Sequence, residues 1–552
     1  MTTLKFTKNN FFIFFIISFL LTSCITKTKV DLIVHNATIY SVNSNNDVFE
    51  SIAVKDGKII ELGKNNQILN KYKAKQTLDI AGKYIYPGFI DAHCHFLSYG
   101  LQQQMVDLSA ANSFTDVIKI LKTYSLQKNN QWIVGYGWDQ NKWKKKTLPN
   151  NKLLNDNFKN TNVVIQRIDG HALLANEKAI KSLKINLDTI INGGHIEIIG
   201  DKATGIFVDN AMNLVLDKLP KPNELSKKNA LLKSQKECFS LGLTTVDIAG
   251  LNKADIELID GLQSSEELKI KVYAMLSDNK ENFNYYLDSI GKPIKKNRLN
   301  IRSFKFFADG SLGSRGACLL KPYKDKVSTN GFMLQKIESL ENKLIKLKRN
   351  GFQACTHAIG DSANRTILKS YSKILKENND LRWRVEHAQC VSQEDLNIFS
   401  KFNIIPSVQP THATSDFRWA ILRLGKKRLL NCYQYYSLFK QNNLIALGTD
   451  FPVEEINPIH TFYAAVFRKN SDGGPIEGFQ KDQALTRIEA LKGMTIWAAL
   501  SNFEENEKGS LEIGKYADMV VLNKDLFTET HLEVLKTKVL KTIVNGEIVY
   551  SD

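Results

Sequence analysis

At 552 residues, with 43 % hydrophobic and 24 % charged side chains, the chain has the composition of an ordinary folded protein and is too long for one small core. A formal charge of +17 raises nucleic acid as a partner, yet the lysines are scattered and the one tight cluster, Lys144 to Lys146, carries no binding motif. A solvated, Lys-rich surface that meets an anionic envelope rather than nucleic acid is the expectation.

In chain order, Lys5 and Lys8 precede an apolar run from Phe11 to Leu21 that ends in Thr22, Ser23 and Cys24. The run is about half the length of a membrane-spanning helix, so residues 1–24 read as a cleaved secretion signal. Leu21-Thr22-Ser23-Cys24 resembles the bacterial lipobox, whose cysteine becomes the diacylated N-terminus of a lipoprotein. The resemblance implies export and a lipid anchor at Cys24. Ile25, in place of an acidic residue, points to the outer membrane, facing the periplasm. The six remaining cysteines are widely spaced without a CxxC pair, in a protein large enough not to require disulfides.

Asp31-Leu-Ile-Val and Ala37-Thr-Ile-Tyr predict short strands, and Ile52 to Ile60 predicts two strands joined at Asp56-Gly57, a type I′ signal. Ala517 to Leu522 and Thr542 to Tyr550, turning at Asn545-Gly546, repeat this style near the other end. Neither segment closes a core alone, so residues 25–86 and 505–552 are expected to pair into one composite β-sandwich.

Between them, short apolar strands alternate with amphipathic stretches such as Ile337 to Arg349 and Ser392 to Phe402, the pattern of a (β/α)8 barrel over residues 87–504. Eight strands are expected at Tyr84–His95, Thr244–Asp247, Ile270–Met275, Ile301–Phe307, Gln353–His357, Trp383–His387, Asn403–Gln409 and Leu444–Thr449. Trp132–Gly135 and Asn162–Arg167 are then surplus, so about residues 100–237 form an insertion after the first barrel strand, a lid or recognition subdomain.

The most informative stretch is Pro87-Gly-Phe-Ile-Asp-Ala-His-Cys-His95. Side chains alternate along a strand, so His93 and His95 share a side suited to one metal while Cys94 turns away. His357 and His387 also end expected barrel strands, as does Asp450 in Gly-Thr-Asp-Phe-Pro, and Lys305 lies within another. In a barrel these C-terminal strand ends converge on the face where chemistry is placed.

This constellation resembles the amidohydrolase superfamily over almost the whole chain after residue 24. Gly137-Trp-Asp-Gln140, Arg167-Ile-Asp-Gly-His171, Asp309-Gly-Ser-Leu-Gly-Ser-Arg315, His357-Ala-Ile-Gly-Asp361 and Ser407-Val-Gln-Pro-Thr-His412 are similar to the YtcJ-like group, which includes N-substituted formamide deformylases. The resemblance implies that His93 and His95 hold a first metal, His357 and His387 a second, and that Asp450 contacts metal and reacting water. It also implies that Lys305 is carboxylated to a bridging carbamate; a buried lysine paired with a carboxylate is the alternative. Imidazole and carboxylate ligands suit one or two Zn²⁺, with other divalent transition metals open.

Other residues have two readings. His171 and His412 could hydrogen-bond a small-molecule substrate or anchor loops, and Trp138 could line the pocket or fill a core. Asp139 could line the pocket with it. Arg315 suits an ion pair, and Cys94 and Cys355 suit buried apolar sites. The leading expectation is hydrolysis of an amide, formamide or cyclic amide. The same fold also supports deamination, lactone or phosphoester hydrolysis and isomerisation, and a non-catalytic metal- or solute-binding lipoprotein is a further alternative.

Overall fold

A computed structural model describes residue 2 and residues 27–127, 131–189, 191–200 and 202–552. Cys24 and the expected signal segment, save residue 2, lie outside the described residues. Among those described, no helix is long and apolar enough to cross a membrane.

The central sheet is a barrel of eight parallel strands: β1 (Phe89–Cys94), β2 (Leu243–Leu251), β3 (Lys271–Ser277), β4 (Leu299–Phe307), β5 (Gln353–Ala358), β6 (Arg384–His387), β7 (Ile405–Val408) and β8 (Ala446–Leu447). Each pairs with the next in chain order, and Ile294–Lys295 adds a short antiparallel strand to β4. Closure from β8 to β1 is made by side-chain and single backbone contacts. The Asp91 carboxylate accepts from Thr449 N at 3.0 Å and Thr449 Oγ1 at 2.7 Å. Asp450 N donates to His93 O at 2.8 Å. Gly448 permits this approach, because a Cβ there would lie 2.5 Å from His93 N and 2.8 Å from Asp91 Oδ1.

All eight expected strand regions contribute, with one division. The Tyr84–His95 run splits at Gly88, and Tyr84–Pro87 leaves the barrel to pair antiparallel with Met519–Leu522. The helix Ile337–Arg349 spans its expected residues. It buries Leu340, Leu344 and Leu347 on one face, and Lys346, Lys348 and Arg349 end it where the helix dipole favours cations.

The two chain ends do combine. One sheet is the N-terminal set Lys58–Gly63, Ser51–Lys55, Thr28–His35 and Tyr72–Asp79; the other joins Thr38–Tyr40, Val48–Phe49 and Tyr84–Pro87 to Met519–Leu522, Val539–Val544 and Glu547–Ser551. Leu32, Val34, Ile52 and Val54 of the first pack against Ile85, Met519, Val521 and Ile543 of the second. Burying such a side chain contributes roughly 1.5–3 kcal/mol, which neither segment could gain alone. Both anticipated turns have the paired positive φ of type I′, 50° and 74° at Asp56-Gly57 and 50° and 75° at Asn545-Gly546.

The surplus strands belong to a separate six-stranded sheet between β1 and β2 of the barrel, ordered Gly194–Ile199, Lys202–Asp209, Ala172–Ala175, Asn162–Arg167, Trp132–Trp138 and Val106–Asp107. Alternation gives it two faces. Val163 and Ile165 pack with Val117 and Leu121 of the helix Phe114–Gln127, whereas Val164 packs with Leu173 and Phe207. Arg423 ties this sheet to the barrel loops, donating to Asn141 Oδ1 at 3.0 Å and to Gly313 O at 3.2 Å.

Candidate active site

The strand ends bring five of the six expected metal-site residues to one point, with Asp450 at its centre. Its Oδ1 lies 3.2 Å from His95 Nε2 and 3.6 Å from His93 Nε2, and its Oδ2 lies 3.3 Å from His412 Nε2. Potential ligand atoms of His93, His95 and Asp450 all lie within 4.8 Å of one another, as do those of His387, His412 and Asp450. Lys305 Nζ is 3.1 Å from His93 Nε2. The His387 ring lies 4.9 Å from that of His93, and its Nδ1 is 2.6 Å from Gln409 Oε1.

Local backbone conformation aims two of these groups. His387 has φ 70° and Asp450 φ 63°, left-handed values that cost a non-glycine residue of order 1–3 kcal/mol and concentrate at functional sites. At His387 the change breaks strand alternation, so consecutive residues Glu386 and His387 both contribute to the same barrel end.

Beneath the site runs a buried charged layer. Glu386 engages His93 Nδ1 and accepts from Arg384 Nε at 2.7 Å, while Arg384 Nη1 reaches Asp247 at 2.9 Å; all three charged side chains are fully buried. This fixes the His93 ring so that Nε2 faces Asp450. Burial opposes the charge on Glu386, but Arg384 and His93 hold its carboxyl well below the usual range.

Burial lowers His93 to about 4 and His387 well below the usual histidine value, so both are neutral, as ligation requires. Burial also lowers the Lys305 ammonium to about 8, and among the described residues no carboxylate lies within 4.0 Å of it. Burial works against charge on Asp450 too, but its hydrogen bond with His412 and the nearby His95, His93 and His387 imidazoles keep it ionised far below the ordinary carboxylate value. His412 is raised well above its usual value: burial disfavours the cation, and its hydrogen bonds to Asp450 and Glu454 outweigh this. His171, likewise opposed by burial, is raised to about 9 by Asp209.

His357 lies beside its expected partner, His387. It ends β5, its ring 4.6 Å from that of His387, but it falls outside both three-residue groups, with Nε2 3.5 Å from Asp309 Oδ1. His412, expected as a substrate or loop residue, lines the cavity with its ring 6.0 Å from that of His387. The reason is local: Gln409 starts the helix Pro410–Leu424, whose first turn carries His412 over the barrel mouth.

Trp138 corrects another expectation. It does not reach the cavity but is fully buried in the insertion core, 6.1 Å from the Trp143 ring, with its indole N–H donating to Ile165 O at 3.0 Å. Its neighbour Asp139 does line the cavity, held by Arg167 at 2.7 Å. Cys94 and Cys355 are buried, and Arg315 pairs with Asp325 at 3.0 Å.

A disulfide joins Cys390 and Cys432, where the cysteine spacing had demanded none. The pair is brought together by an antiparallel bridge between the loop after β6 and the segment before Tyr433, a long-range contact that a separation of 42 residues does not signal. Glu386, Arg384 and Asp247 were also missed as a supporting layer. Two charged residues alternating with Val385 in an apolar strand were the available signal.

The site opens into a cavity of about 1300 Å³ walled by barrel loops and by the insertion, which contributes Tyr136, Asp139, Arg167, Asp169 and His171. A (β/α)8 barrel that gathers imidazoles and a carboxylate at its C-terminal strand ends defines the metal-dependent hydrolase class.

The amidohydrolase family model matches residues 76–550, and the chain belongs to that family. It is 28 % identical over 527 residues to the putative amidohydrolase YtcJ of Bacillus subtilis, covering 94 % of this chain and 98 % of that one. It is 24 % identical over 546 residues to the N-substituted formamide deformylase of Arthrobacter pascens, covering 94 % and 98 %. An uncharacterized metal-dependent hydrolase from Pyrococcus horikoshii superposes with a TM-score of 0.75 at 28 % identity, covering 91 % of this chain and 99 % of that one.

Proposed function

We propose that the protein hydrolyses a C–N bond in a small amide, formamide or cyclic amide, using one or two Zn²⁺ or similar divalent ions. The observation that carries this reading is Asp450: ionised, buried, in reach of three histidines, and with Oδ1 lacking any hydrogen-bond partner among the described residues. A buried carboxylate oxygen left without a donor is costly, and a cation beside it would offset that cost. The donor set fits a divalent metal, with His93, His95 and Asp450 as one group and His387, its ring 4.6 Å from that of His357, as the start of a second.

A bound divalent ion would supply Lewis acidity, lowering the pKa of water from about 16 towards 7 and polarising a carbonyl. Asp450 takes the proton released as water attacks the carbonyl carbon, and returns it to the nitrogen as the C–N bond breaks. His412, bonded to Asp450 Oδ2 and to Glu454 at 2.9 Å, orients that carboxylate. Lys305, on adding CO2 with loss of one proton, would become a carbamate and so an anionic ligand that would help hold the metal. Its burial and, among the described residues, the absence of a carboxylate within 4.0 Å support this over a structural ion pair.

The formamide deformylase among the relatives supports an N-formyl or N-acyl substrate. Export with a lipid anchor at Cys24, directed to the outer membrane, completes the reading. The Cys390–Cys432 disulfide supports it, since such bonds persist mainly in oxidising compartments. A panel of N-formyl and N-acyl amines, assayed with metal-loaded full chain, tests the function: turnover of at least one member is expected, and none at all contradicts it.

A further inference from the structure

Resting on the hydrolase reading, we infer that His171, delivered by the insertion, donates a hydrogen bond to the substrate's carbonyl oxygen as it becomes a tetrahedral oxyanion. Asp209 and the loop from Gly310 to Gly316 act as positioning groups behind it.

The geometry has three parts. His171 lines the cavity with its ring 5.3 Å from that of His357, and its Nδ1 is 2.5 Å from Asp209 Oδ1. Among the described residues its Nε2 has no protein partner, so that edge of the ring is left for a ligand. The main chain holds it as well, His171 N donating to Asp169 Oδ1 at 3.1 Å while Ser311 Oγ donates to Asp169 Oδ2 at 2.5 Å.

Asp209 is fully buried at its side chain, and among the described residues no lysine or arginine lies within 4.0 Å of it. A buried carboxyl needs a hydrogen-bond partner, and the His171 ring supplies one. With Nδ1 engaged by Asp209, Nε2 is the ring atom of this cavity-lining histidine left to meet a carbonyl oxygen.

The barrel loop is shaped around this pair. A Cβ at Gly310 would lie 2.5 Å from both Asp209 carboxylate oxygens, and one at Gly316 would lie 2.2 Å from Oδ2. Two motifs far apart in sequence, Arg167 to His171 and Asp309 to Arg315, thus meet to hold one imidazole at the mouth. A donor fixed before reaction, aimed where negative charge develops, is worth about 10²–10³-fold in kcat.

The test compares wild type, His171→Ala, His171→Gln and Asp209→Asn as metal-loaded full chains. It reads kcat and KM on a turned-over panel member, metal content, and affinity for methylphosphonate as a stable tetrahedral oxyanion. The expected result for His171→Ala is a loss of about 10²-fold in kcat with KM within about threefold, unchanged metal content, and at least about tenfold weaker methylphosphonate binding. His171→Gln, which keeps an N–H, should recover part of both, and Asp209→Asn should fall between wild type and His171→Ala.

A rise in KM alone, loss of metal, or wild-type values for His171→Ala would overturn the assignment. If wild type turns over no panel member, the amide reading fails on its own. Methylphosphonate then decides His171: weakening in His171→Ala upholds the donor, whereas equal binding, or none to wild type, overturns it.

Discussion

Asp450 N donates to His93 O at 2.8 Å, so the same contact that closes the barrel fixes the candidate proton carrier beside the first candidate ligand. Closure and the candidate site are therefore coupled in this fold: Asp450, in the loop after β8, cannot shift without moving the end of β1. Gly448, packed on His93 N and Asp91, makes that contact possible.

Asp450→Asn keeps the size of the side chain but removes its basicity. Turnover should fall by about 10²–10⁴-fold while much of the metal stays bound. Paired kinetics and elemental analysis check this, and wild-type turnover would refute the general-base role.

Lys305→Ala removes the buried amine beside His93 and should lower the metal content towards one ion or none. An unchanged content of two ions would exclude the carbamate bridge. A ¹³C-labelled carbamate signal in wild type grown with labelled bicarbonate, absent in the variant, is the expected direct signature.

Glu386→Gln weakens the hold on His93 Nδ1 without emptying the space. Metal affinity should drop by about 10–100-fold, measured by competition with a chelating dye. Arg384→Met, in contrast, strips the buried charge from between Glu386 and Asp247 and should destabilise the fold by about 3–5 kcal/mol in denaturant titrations.

Cys390→Ser should lower stability by about 2–4 kcal/mol through loss of the cross-link over a 42-residue separation. Thermal unfolding of wild type with and without reductant should show the same direction. Equal midpoints would mean that the antiparallel bridge alone holds the segment.

How much of this was legible in the sequence follows from the range of each signal. The barrel strands and the two sandwich hairpins were readable because apolar runs and Asp-Gly or Asn-Gly turns are local patterns. His93, His95, His387 and Asp450 were readable because each ends such a run. His412 was not readable as a neighbour of Asp450, since its position depends on where the helix Pro410–Leu424 starts relative to β7. Trp138 could equally line the pocket or fill a core, and a register shift between Tyr136 and Trp138 accompanies its place in the insertion core. The Arg384–Glu386–Asp247 layer unites three residues from two strands, and the disulfide two loops; such contacts exist only after the barrel has closed.

Metal content of the purified full chain, measured together with turnover of the amide panel before and after chelation, tests the central claim most directly. The account predicts one to two equivalents of zinc or a similar divalent metal, with hydrolysis that stops on chelation and returns when metal is restored. Correctly folded protein that binds no metal even after reconstitution would contradict it.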